Sequence, residues 1–347
     1  MAFNYKHYVP ILKGKRAEFP ALGSLHSKNG ITPLLEVVPS ADANTVPRRM
    51  ANQWPSDVAY FIDLLFLDDP DDDVVPATGQ HPVRVCFAEV EEQDQVAVPV
   101  TGLSRSPGYQ SAVQQVVSQQ GNGLVLRLTP DDFEDADELE AGLEGVPGLF
   151  ELEIGEIDLL LDIGSVSNSS AGTVAQIHRA NIDLIPGLNE WRTLTVGASA
   201  FPLSLAPLVR DQWNPSSRQD WRGWRQLIIG AKPPTRLPAY SDYAIAHPAL
   251  PPEGRATILA QLRYAAADSW IIWKGRNVFT EGFDQFYAIC QDLTGRPEYR
   301  GAAFSWGDAE IAQKAANVGS PGNAETWRKI GTNHHIETVL EQIANLP

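Results

Sequence analysis

Eight short apolar segments recur along the chain, and this repetition limits the available folds more than any other feature. The segments begin at Tyr8, Ile31, Val58, Val96, Gly123, Ile157, Thr193 and Tyr240. Most are followed by a stretch whose apolar residues recur at helical spacing, as in residues 109–119 and 219–229. Strands that alternate with helices indicate a parallel sheet, and eight such units predict a (β/α)8 barrel of the TIM-barrel type.

An open, doubly wound α/β sheet is the competing architecture. Such sheets that bind dinucleotides carry a glycine-rich turn after the first strand, and the sequence has no such fingerprint. The barrel is therefore the more economical prediction, and we assign it to residues 1–250. We expect residues 251–347 to form a C-terminal extension that packs on the barrel within one compact unit.

Residues 256–278 break the alternation of strands and helices. Their pattern predicts either two extended segments or a helix and a strand. We expect this part of the extension to form an insertion or a lid beside the barrel.

The charge balance argues against some partners. The chain has 43 acidic and 27 basic residues, a formal net charge of −16 and a pI near 4.8. At long range such a protein repels nucleic acid and anionic membranes, so the sequence argues against a long duplex or a membrane as partner. The net charge does not exclude a local basic cleft.

Cysteine usage and hydropathy indicate the compartment. Cys86 and Cys290 lie outside any CxxC or Cys/His pattern, which argues against a disulfide framework and a thiolate zinc site. The first residues lack the apolar core of a signal peptide, and no apolar run reaches the length of a membrane span. We therefore expect a cytoplasmic protein.

Polar residues stand at or near the carboxyl ends of several predicted strands. They are Lys13, Glu36, Asp63, Arg127, Asp162 and Asp242. Function in (β/α)8 barrels collects at that end of the strands, so these side chains are candidates to converge on one mouth. Arg127 and Asp242 would then contact a ligand.

The acidic members of this set suit a metal ion. Glu36, Asp63 and Asp162 are candidate ligands of a divalent cation such as Mg²⁺, which prefers carboxylate oxygens. Lys13, Glu36 and Asp162 are candidates for catalysis. A fixed cation such as Lys13 beside the metal ion would neutralise the charge of a phosphate group. The alternative is a set of internal salt bridges at the barrel rim, which needs no ligand.

Residues 304–339 contain a second group of polar and aromatic candidates. They are Trp306, Asp308, Asn333, His334 and His335. Neighbouring side chains diverge on a helix or a strand, so the two adjacent histidines cannot easily share one metal ion. One histidine is a candidate general acid or base, and the other is a packed or capping residue.

Local capping provides an alternative explanation for this C-terminal group. Asn333 is the predicted N-cap of a helix over residues 336–344, which would place both histidines in its first turn, where the helix dipole favours an anion. Phosphate binding and simple capping both fit this geometry. Asp308 either caps a helix or binds a ligand, and Trp306 either stacks on a ligand or docks the tail. We expect residues 304–339 to fold back across the barrel mouth.

Several sequence fragments, in their order and spacing, resemble one family over nearly the full length. They are YVPILKGKRAEFPAL, ITPLLEVVP, IDLLLDIG, TVGASAFP, LRYAA, FSWGD and NHHIETV. Together they resemble the Beta protein family of bacteria and mobile elements, which takes its name from a satellite-phage protein encoded beside the Gop killer protein. The resemblance implies a role in a toxin-linked or antiphage defence module. It supplies no catalytic residues.

Three hypotheses for the function follow. The first is a cytoplasmic component of a bacterial or prophage defence locus, or of a toxin–antitoxin-like module. It would bind a partner protein from that locus, or a phosphate-bearing ligand, at the barrel mouth. The alternative is a metal-dependent phosphodiesterase or nuclease-like hydrolase that uses the strand-end carboxylates with His334 or His335. The third hypothesis is a purely structural subunit. The sequence does not exclude self-association.

Overall fold

The eight predicted strands form a closed parallel barrel. The computed structural model describes residues 2–39, 42–69, 75, 78–250 and 258–346. The barrel strands are β1 (Tyr8–Leu12), β2 (Leu34–Glu36), β3 (Tyr60–Asp63), β4 (Ala97–Thr101), β5 (Leu124–Leu128), β6 (Ile157–Ser165), β7 (Thr193–Ser199) and β9 (Ala239–Asp242), while β8 (Gln212–Ser217) lies outside the ring. Each barrel strand pairs in parallel with the next, and β9 pairs with β1. The predicted (β/α)8 barrel is confirmed.

Strand phase places side chains alternately inside the barrel and against the outer helices. The interior apolar cluster consists of Val9, Ile11, Leu34, Phe61, Val98, Val100, Val125, Leu160 and Tyr243. Intervening residues such as Tyr8, Leu35 and Ile62 belong to the larger core between the strands and the helices. Both faces of the barrel strands are therefore covered, which explains their continuous apolar runs.

Helices surround the barrel and continue into the C-terminal part. They are α1 (Glu18–Gly23), α2 (Thr45–Met50), α3 (Pro82–Glu92), α4 (Pro107–Gln120), α5 (Ala136–Phe150), α6 (Ala171–Asp183), α7 (Gln219–Ile229), α8 (Val278–Glu281), α9 (Gln285–Thr294), α10 (Trp306–Ala315) and α11 (Ala324–Ala344). Short 3-10 helices lie at Leu65–Leu67, Pro130–Phe133 and Ile154–Glu156. Within the described ranges, no helix is both long and apolar enough to cross a membrane.

A three-stranded antiparallel sheet joins the two parts of the chain. Strands β10 (Leu259–Ala265) and β11 (Ser269–Asn277) form a hairpin. From residue 258 onward, this agrees with the prediction of two extended segments for residues 256–278; residues 256 and 257 lie outside the described residues. Strand β8 adds to β11. Contacts therefore cross residue 250, where we divided the barrel from its extension. The sequence QWNPSS of β8 gave no strand signal because it is polar and half exposed.

Helix α11 serves as an outer helix of the barrel. It packs against α1 and β1, and its residues Ile336, Val339 and Ile343 join the core between strands and helices. Gln342 accepts a hydrogen bond from Nη1 of Arg218 (2.9 Å), the residue before α7. The chain thus completes its ring of helices with a segment close to its C-terminus.

The predicted path of residues 304–339 across the mouth is wrong. These residues form α10 and most of α11, and α11 runs down the outside of the barrel, where its apolar residues are buried. Only its first turns, including Arg328, reach the mouth. The opposite end lies near Lys6, whose Nζ donates to the carbonyl of Leu346 (3.0 Å).

The predicted helix start at Asn333 is also wrong. Helix α11 begins at Ala324, after Asn323, whose side chain accepts from the backbone N–H of Thr326 (3.0 Å). This capping box begins the helix with an N-cap ten residues earlier in the chain than the predicted one, since Asn323 takes the place of Asn333. Asn333 and the two histidines consequently lie in mid-helix, where neither the cap nor the dipole argument applies.

Removal of one buried side chain from α11 tests its place in the ring. Ile336 is fully buried, so Ile336→Ala should lower the free energy of unfolding by about 2–5 kcal/mol in urea denaturation. The matched control is Ile229→Ala at the end of α7, where the side chain is 50% exposed and the loss should stay below about 1 kcal/mol. Equal losses in the two variants would contradict this packing.

Candidate functional site

Five of the six strand-end residues meet inside the barrel, around the guanidinium of Arg127. Nη1 of Arg127 donates to Glu36 Oε1 (2.9 Å) and to Asp63 Oδ2 (2.8 Å). Nε and Nη2 both donate to Asp162 Oδ2 (3.1 and 2.7 Å). Lys13 donates to Glu36 from the end of the neighbouring strand. All five residues are buried.

Arg105 and Tyr243 complete this cluster. Nη2 of Arg105 donates to both oxygens of Asp63 (3.1 and 3.2 Å). The hydroxyl of Tyr243 donates to Asp162 (2.5 Å) and accepts from Arg127 (2.6 Å). We call the seven residues the ion core: Lys13, Glu36, Asp63, Arg105, Arg127, Asp162 and Tyr243. Its three cations balance its three carboxylates. Sequence reasoning missed Arg105, whose one signal is its position four residues after β4.

Electrostatics favour the charged forms of Arg127 and Asp162. Burial would lower the pKa of Arg127, but Tyr243, Asp162 and the other facing groups hold it well above its ordinary value. Burial would raise the pKa of Asp162, and the charge of Arg127 and the hydrogen bond from Tyr243 outweigh it, so that pKa lies below its ordinary value. Arg127 and Asp162 therefore face each other in their charged forms without any added ligand.

The three candidate metal ligands are occupied by protein groups. Glu36, Asp63 and Asp162 do converge, as the sequence analysis expects, but Arg127 lies between them where a cation would have to bind. Among the described residues, no three Asp, Glu, His or Cys side chains are arranged to hold a metal ion. The geometry favours the internal salt bridges that the sequence analysis kept as its alternative.

Asp242 faces the opposite way, towards the outer helices. Strand phase points Ser241 and Tyr243 into the barrel and Asp242 out of it. Oδ1 of Asp242 accepts from the Tyr8 hydroxyl (2.5 Å), and Oδ2 accepts from the Tyr240 hydroxyl (3.0 Å) and from His335 Nε2 (2.8 Å). Asp242 and His335 thus form a separate cluster and do not join the ion core.

His335 is a neutral, structural histidine. Nε2 donates to Asp242, and Nδ1 accepts from the indole N–H of Trp270 (3.3 Å), so both ring nitrogens are used by one tautomer. Burial lowers the pKa of His335, and the charge of Asp242 opposes this without reversing it. Burial also raises the pKa of nearby Asp220 to about 7, helped by the charge of Asp242. A general acid or base role for His335 has no free nitrogen to act through.

His334 is held by a different set of partners. Nδ1 is hydrogen-bonded to Asp308 Oδ2 (2.7 Å) and Nε2 to the carbonyl oxygen of Ala265 (2.8 Å). Asp308 also accepts from the hydroxyls of Tyr264 (2.7 Å) and Ser305 (2.5 Å), and Ser305 is the cap of α10. Burial would raise the pKa of Asp308, yet the hydrogen bond from His334 holds it below its ordinary value. These residues fix α10 and α11 against β10.

The other two C-terminal candidates join helices to one another. Asn333 Oδ1 accepts from the backbone N–H of Gly307 (2.9 Å), and its Nδ2 donates to the carbonyl of Ala21 in α1 (3.1 Å). The ring of Trp306 lies under the ammonium of Lys329, 3.6 Å from the ring centroid. The structure therefore places the C-terminal candidates in contacts of α10 and α11 with neighbouring helices and strands, away from the ion core.

A basic cleft lies at the barrel mouth, and its residues are far apart in the sequence. It has a volume of about 610 Å³ and extends from the loop after β1 to the β10–β11 hairpin and the start of α11. Its six cations are Lys13, Lys15, Arg210, Arg263, Lys274 and Arg328. No described Asp or Glu lines it. The sequence does not exclude a local basic cleft, but of these residues it identifies only Lys13 as a candidate.

Several of these cations lack a carboxylate partner. Among the described residues, Lys15, Arg210 and Arg263 have no carboxylate oxygen within salt-bridge distance, and Arg328 has only Glu18, at 3.8 Å. Burial, together with the charge of Arg328, lowers the pKa of Arg263 to about 9 and lowers that of Lys15. The cations repel one another, so an anion in the cleft would relieve an unfavourable interaction.

The fold and these sites define an α/β barrel whose interior charges neutralise one another and whose mouth carries a basic cleft. The family model of the Beta protein family matches residues 8–341, nearly the whole chain. The chain belongs to the Beta protein family.

Two solved structures show weak similarity to this chain. Triosephosphate isomerase from Bartonella henselae is 15% identical, with a TM-score of 0.35 over 69% of this chain and 93% of that one. A short-chain dehydrogenase from Mycobacterium thermoresistibile is 12% identical, with a TM-score of 0.23 over 69% and 85% of the two chains. No curated protein matches the sequence.

Removal of the central cation tests the ion core. Arg127→Met keeps most of the side-chain volume but leaves Glu36, Asp63 and Asp162 without their shared partner, so the free energy of unfolding should fall by about 3–5 kcal/mol. The control Arg179→Met breaks an exposed pair with Asp183 and one surface hydrogen bond to the carbonyl of Lys232 (3.0 Å), which together should cost less than about 1 kcal/mol. Urea denaturation at pH 7 measures both. A loss for Arg127→Met as small as that of the control would contradict the assignment.

Asp220 should make stability depend on pH. Its folded pKa of about 7 exceeds the ordinary value of 3.8, so the folded state keeps a proton that the unfolded state releases, and stability falls as pH rises through this range. Between pH 5 and 8, the wild type should lose on the order of 2–3 kcal/mol more than Asp220→Asn. The exposed Asp183→Asn is the control and should follow the wild type. Parallel pH profiles for the wild type and Asp220→Asn would contradict the prediction.

Proposed function

We propose that this protein binds a phosphate-bearing ligand in the basic cleft at the barrel mouth, as a component of a bacterial or prophage defence module. The observation that carries the binding proposal is the contrast between the cleft and the rest of the chain. Six Lys and Arg side chains and no described Asp or Glu line the cleft, in a protein with a net charge of −16. A concentrated positive field in a concave site attracts anions and raises their local concentration.

The cleft has the donors that a phosphate group requires. Guanidinium groups present planar pairs of N–H donors that match phosphate oxygens, and an ammonium group adds a compact point charge. Arg328 supplies the first kind and Lys15 the second. Arg263 already donates from Nη1 to the carbonyl of Ile245 (2.6 Å) and from Nη2 to Gln261 (3.1 Å), so it contributes its charge and its remaining N–H groups. Lys274 is already bound to the carbonyls of Ala206 (2.5 Å) and Leu208 (2.7 Å), so it contributes charge more than free donors.

The ion core forms the floor beneath the cleft without cancelling its charge. Lys13 belongs to both, since it lines the cleft and donates to Glu36. Because the ion core is internally balanced, the remaining cations of the cleft keep their positive field. The carboxylates therefore support the binding site by holding the strand ends together.

The family resemblance supports a role in a defence module. The protein would act there beside a partner encoded in the same locus. It would either bind that partner or respond to the same anionic ligand as the partner. Both cysteines, Cys86 and Cys290, are free and buried, which accords with the reducing cytoplasm as the place of action.

The hydrolase alternative gains no support from the geometry. Its carboxylates are paired with Arg127, Arg105 and Lys13, and its histidines lie outside the ion core with both ring nitrogens hydrogen-bonded. We therefore place ligand binding first.

Calorimetric titration with inorganic tripolyphosphate tests the cleft. The wild type should bind it, and Lys15→Ala and Arg210→Ala should each weaken binding by about tenfold, because each removes a cation that has no carboxylate partner in the described structure. Binding should also weaken as salt is raised, since the cleft is open to solvent.

The control is Arg225→Ala, which removes an exposed arginine of α7 that pairs with Asp268 outside the cleft. It should change the affinity by less than about twofold. Absence of binding by the folded wild type, or equal loss in Arg210→Ala and Arg225→Ala, would overturn the proposed site.

A further inference from the structure

A small cavity with several aromatic and aliphatic wall residues adjoins the basic cleft. It has a volume of about 190 Å³, and its apolar walls include Ile245, Ile258, Phe283, Phe286 and Trp327. We call it the aromatic niche, defined by these five residues. Leu259, Gln261, Arg263 and Arg328 line both the niche and the cleft. The two cavities therefore meet along a shared wall that carries two arginines.

The aromatic niche is built to receive a flat apolar group. Phe286 and Trp327 stack face to face, with ring centroids 3.9 Å apart and planes 7° apart, which fixes one wall. The indole N–H of Trp327 donates to the carbonyl of Pro321 (3.0 Å), so it is already satisfied. Phe283 packs beside Phe286, at a centroid distance of 6.3 Å. Rigid aromatic walls bind ring systems at low cost in conformational entropy.

The shared wall offers polar groups at the junction. Gln261 accepts a hydrogen bond from Arg263 Nη2 (3.1 Å) through its side-chain oxygen, and its amide nitrogen donates to no described residue. Gln261 lines both the niche and the cleft. Gln261 is therefore placed to donate to a ring carbonyl or to a sugar hydroxyl between the two cavities.

We infer that the cleft and the aromatic niche together bind one nucleotide, with its base in the niche and its phosphates against Arg263, Arg328 and Lys15. This inference rests on the proposed function and names its ligand class. A nucleotide combines a flat aromatic ring, a sugar and a polyanion in the order in which the niche, Gln261 and the cations occur. The niche holds one ring system and is too small for the acyl chain of an anionic lipid.

The extent of the cleft points to more than one phosphate. Arg263 and Arg328 lie at the junction with the niche, while Arg210, Lys274 and Lys13 line the cleft only. Cations therefore continue beyond the position that a first phosphate would occupy. A nucleoside triphosphate uses this further charge, which a monophosphate leaves unneutralised.

The experiment compares ATP, GTP, CTP and UTP with inorganic tripolyphosphate by calorimetry. At least one nucleoside triphosphate should bind about tenfold more tightly than tripolyphosphate, since the base adds stacking and apolar contact. Ile258→Ala and Phe283→Ala should weaken that nucleotide by about threefold to tenfold and leave tripolyphosphate unchanged. Ile258 is 39% exposed, so its variant keeps the fold even if Phe283→Ala does not.

The matched control is Phe279→Ala in α8, where the phenyl ring is 76% exposed and lies outside the niche. It should bind all ligands like the wild type. Equal affinities for the four nucleotides and tripolyphosphate would overturn the inference and leave the proposed phosphate site standing. Nucleotide selectivity that Ile258→Ala leaves unchanged would also overturn it, because the base would then lie elsewhere. Absence of binding by all five ligands would overturn the proposed function itself.

Discussion

The guanidinium of Arg127, held by Glu36, Asp63 and Asp162 inside the barrel, is the interaction on which the architecture of the mouth depends. Buried charges are costly unless they are paired and hydrogen-bonded, and each of these carboxylates reaches Arg127 directly. Four strand ends are joined in this way. Because the network neutralises itself, it acts as a floor, and the ligand-binding charge lies above it in the basic cleft.

Much of the fold and of this floor is predictable from the sequence. Eight apolar runs identify all barrel strands, and polar residues at their carboxyl ends identify the convergence of Lys13, Glu36 and Arg127. The sequence does not reveal which face of a strand points inwards, because both faces are buried in a barrel and the hydrophobic pattern does not alternate. For that reason the sequence predicts Asp242 with the interior set, although its side chain faces His335.

The remaining features depend on contacts between distant segments. Asn333, His334 and His335 look like a polar helix start, but they lie in the middle of α11 between the barrel and the small sheet, where buried polar partners replace an apolar stripe. The basic cleft has no local motif, since Lys15, Arg210, Arg263 and Arg328 come from four separate parts of the chain. Only the folded barrel brings them to one wall.

The central claim is that charge available for ligands lies in the cleft and not in the ion core. A crystal grown with tungstate tests the location of this charge, because the anomalous scattering of tungsten shows where the anion binds. We expect a tungstate within hydrogen-bond distance, about 3 Å, of Arg263 and Arg328. A tungstate bound to Arg127 in place of its carboxylates, or a cleft without any bound anion, would contradict it.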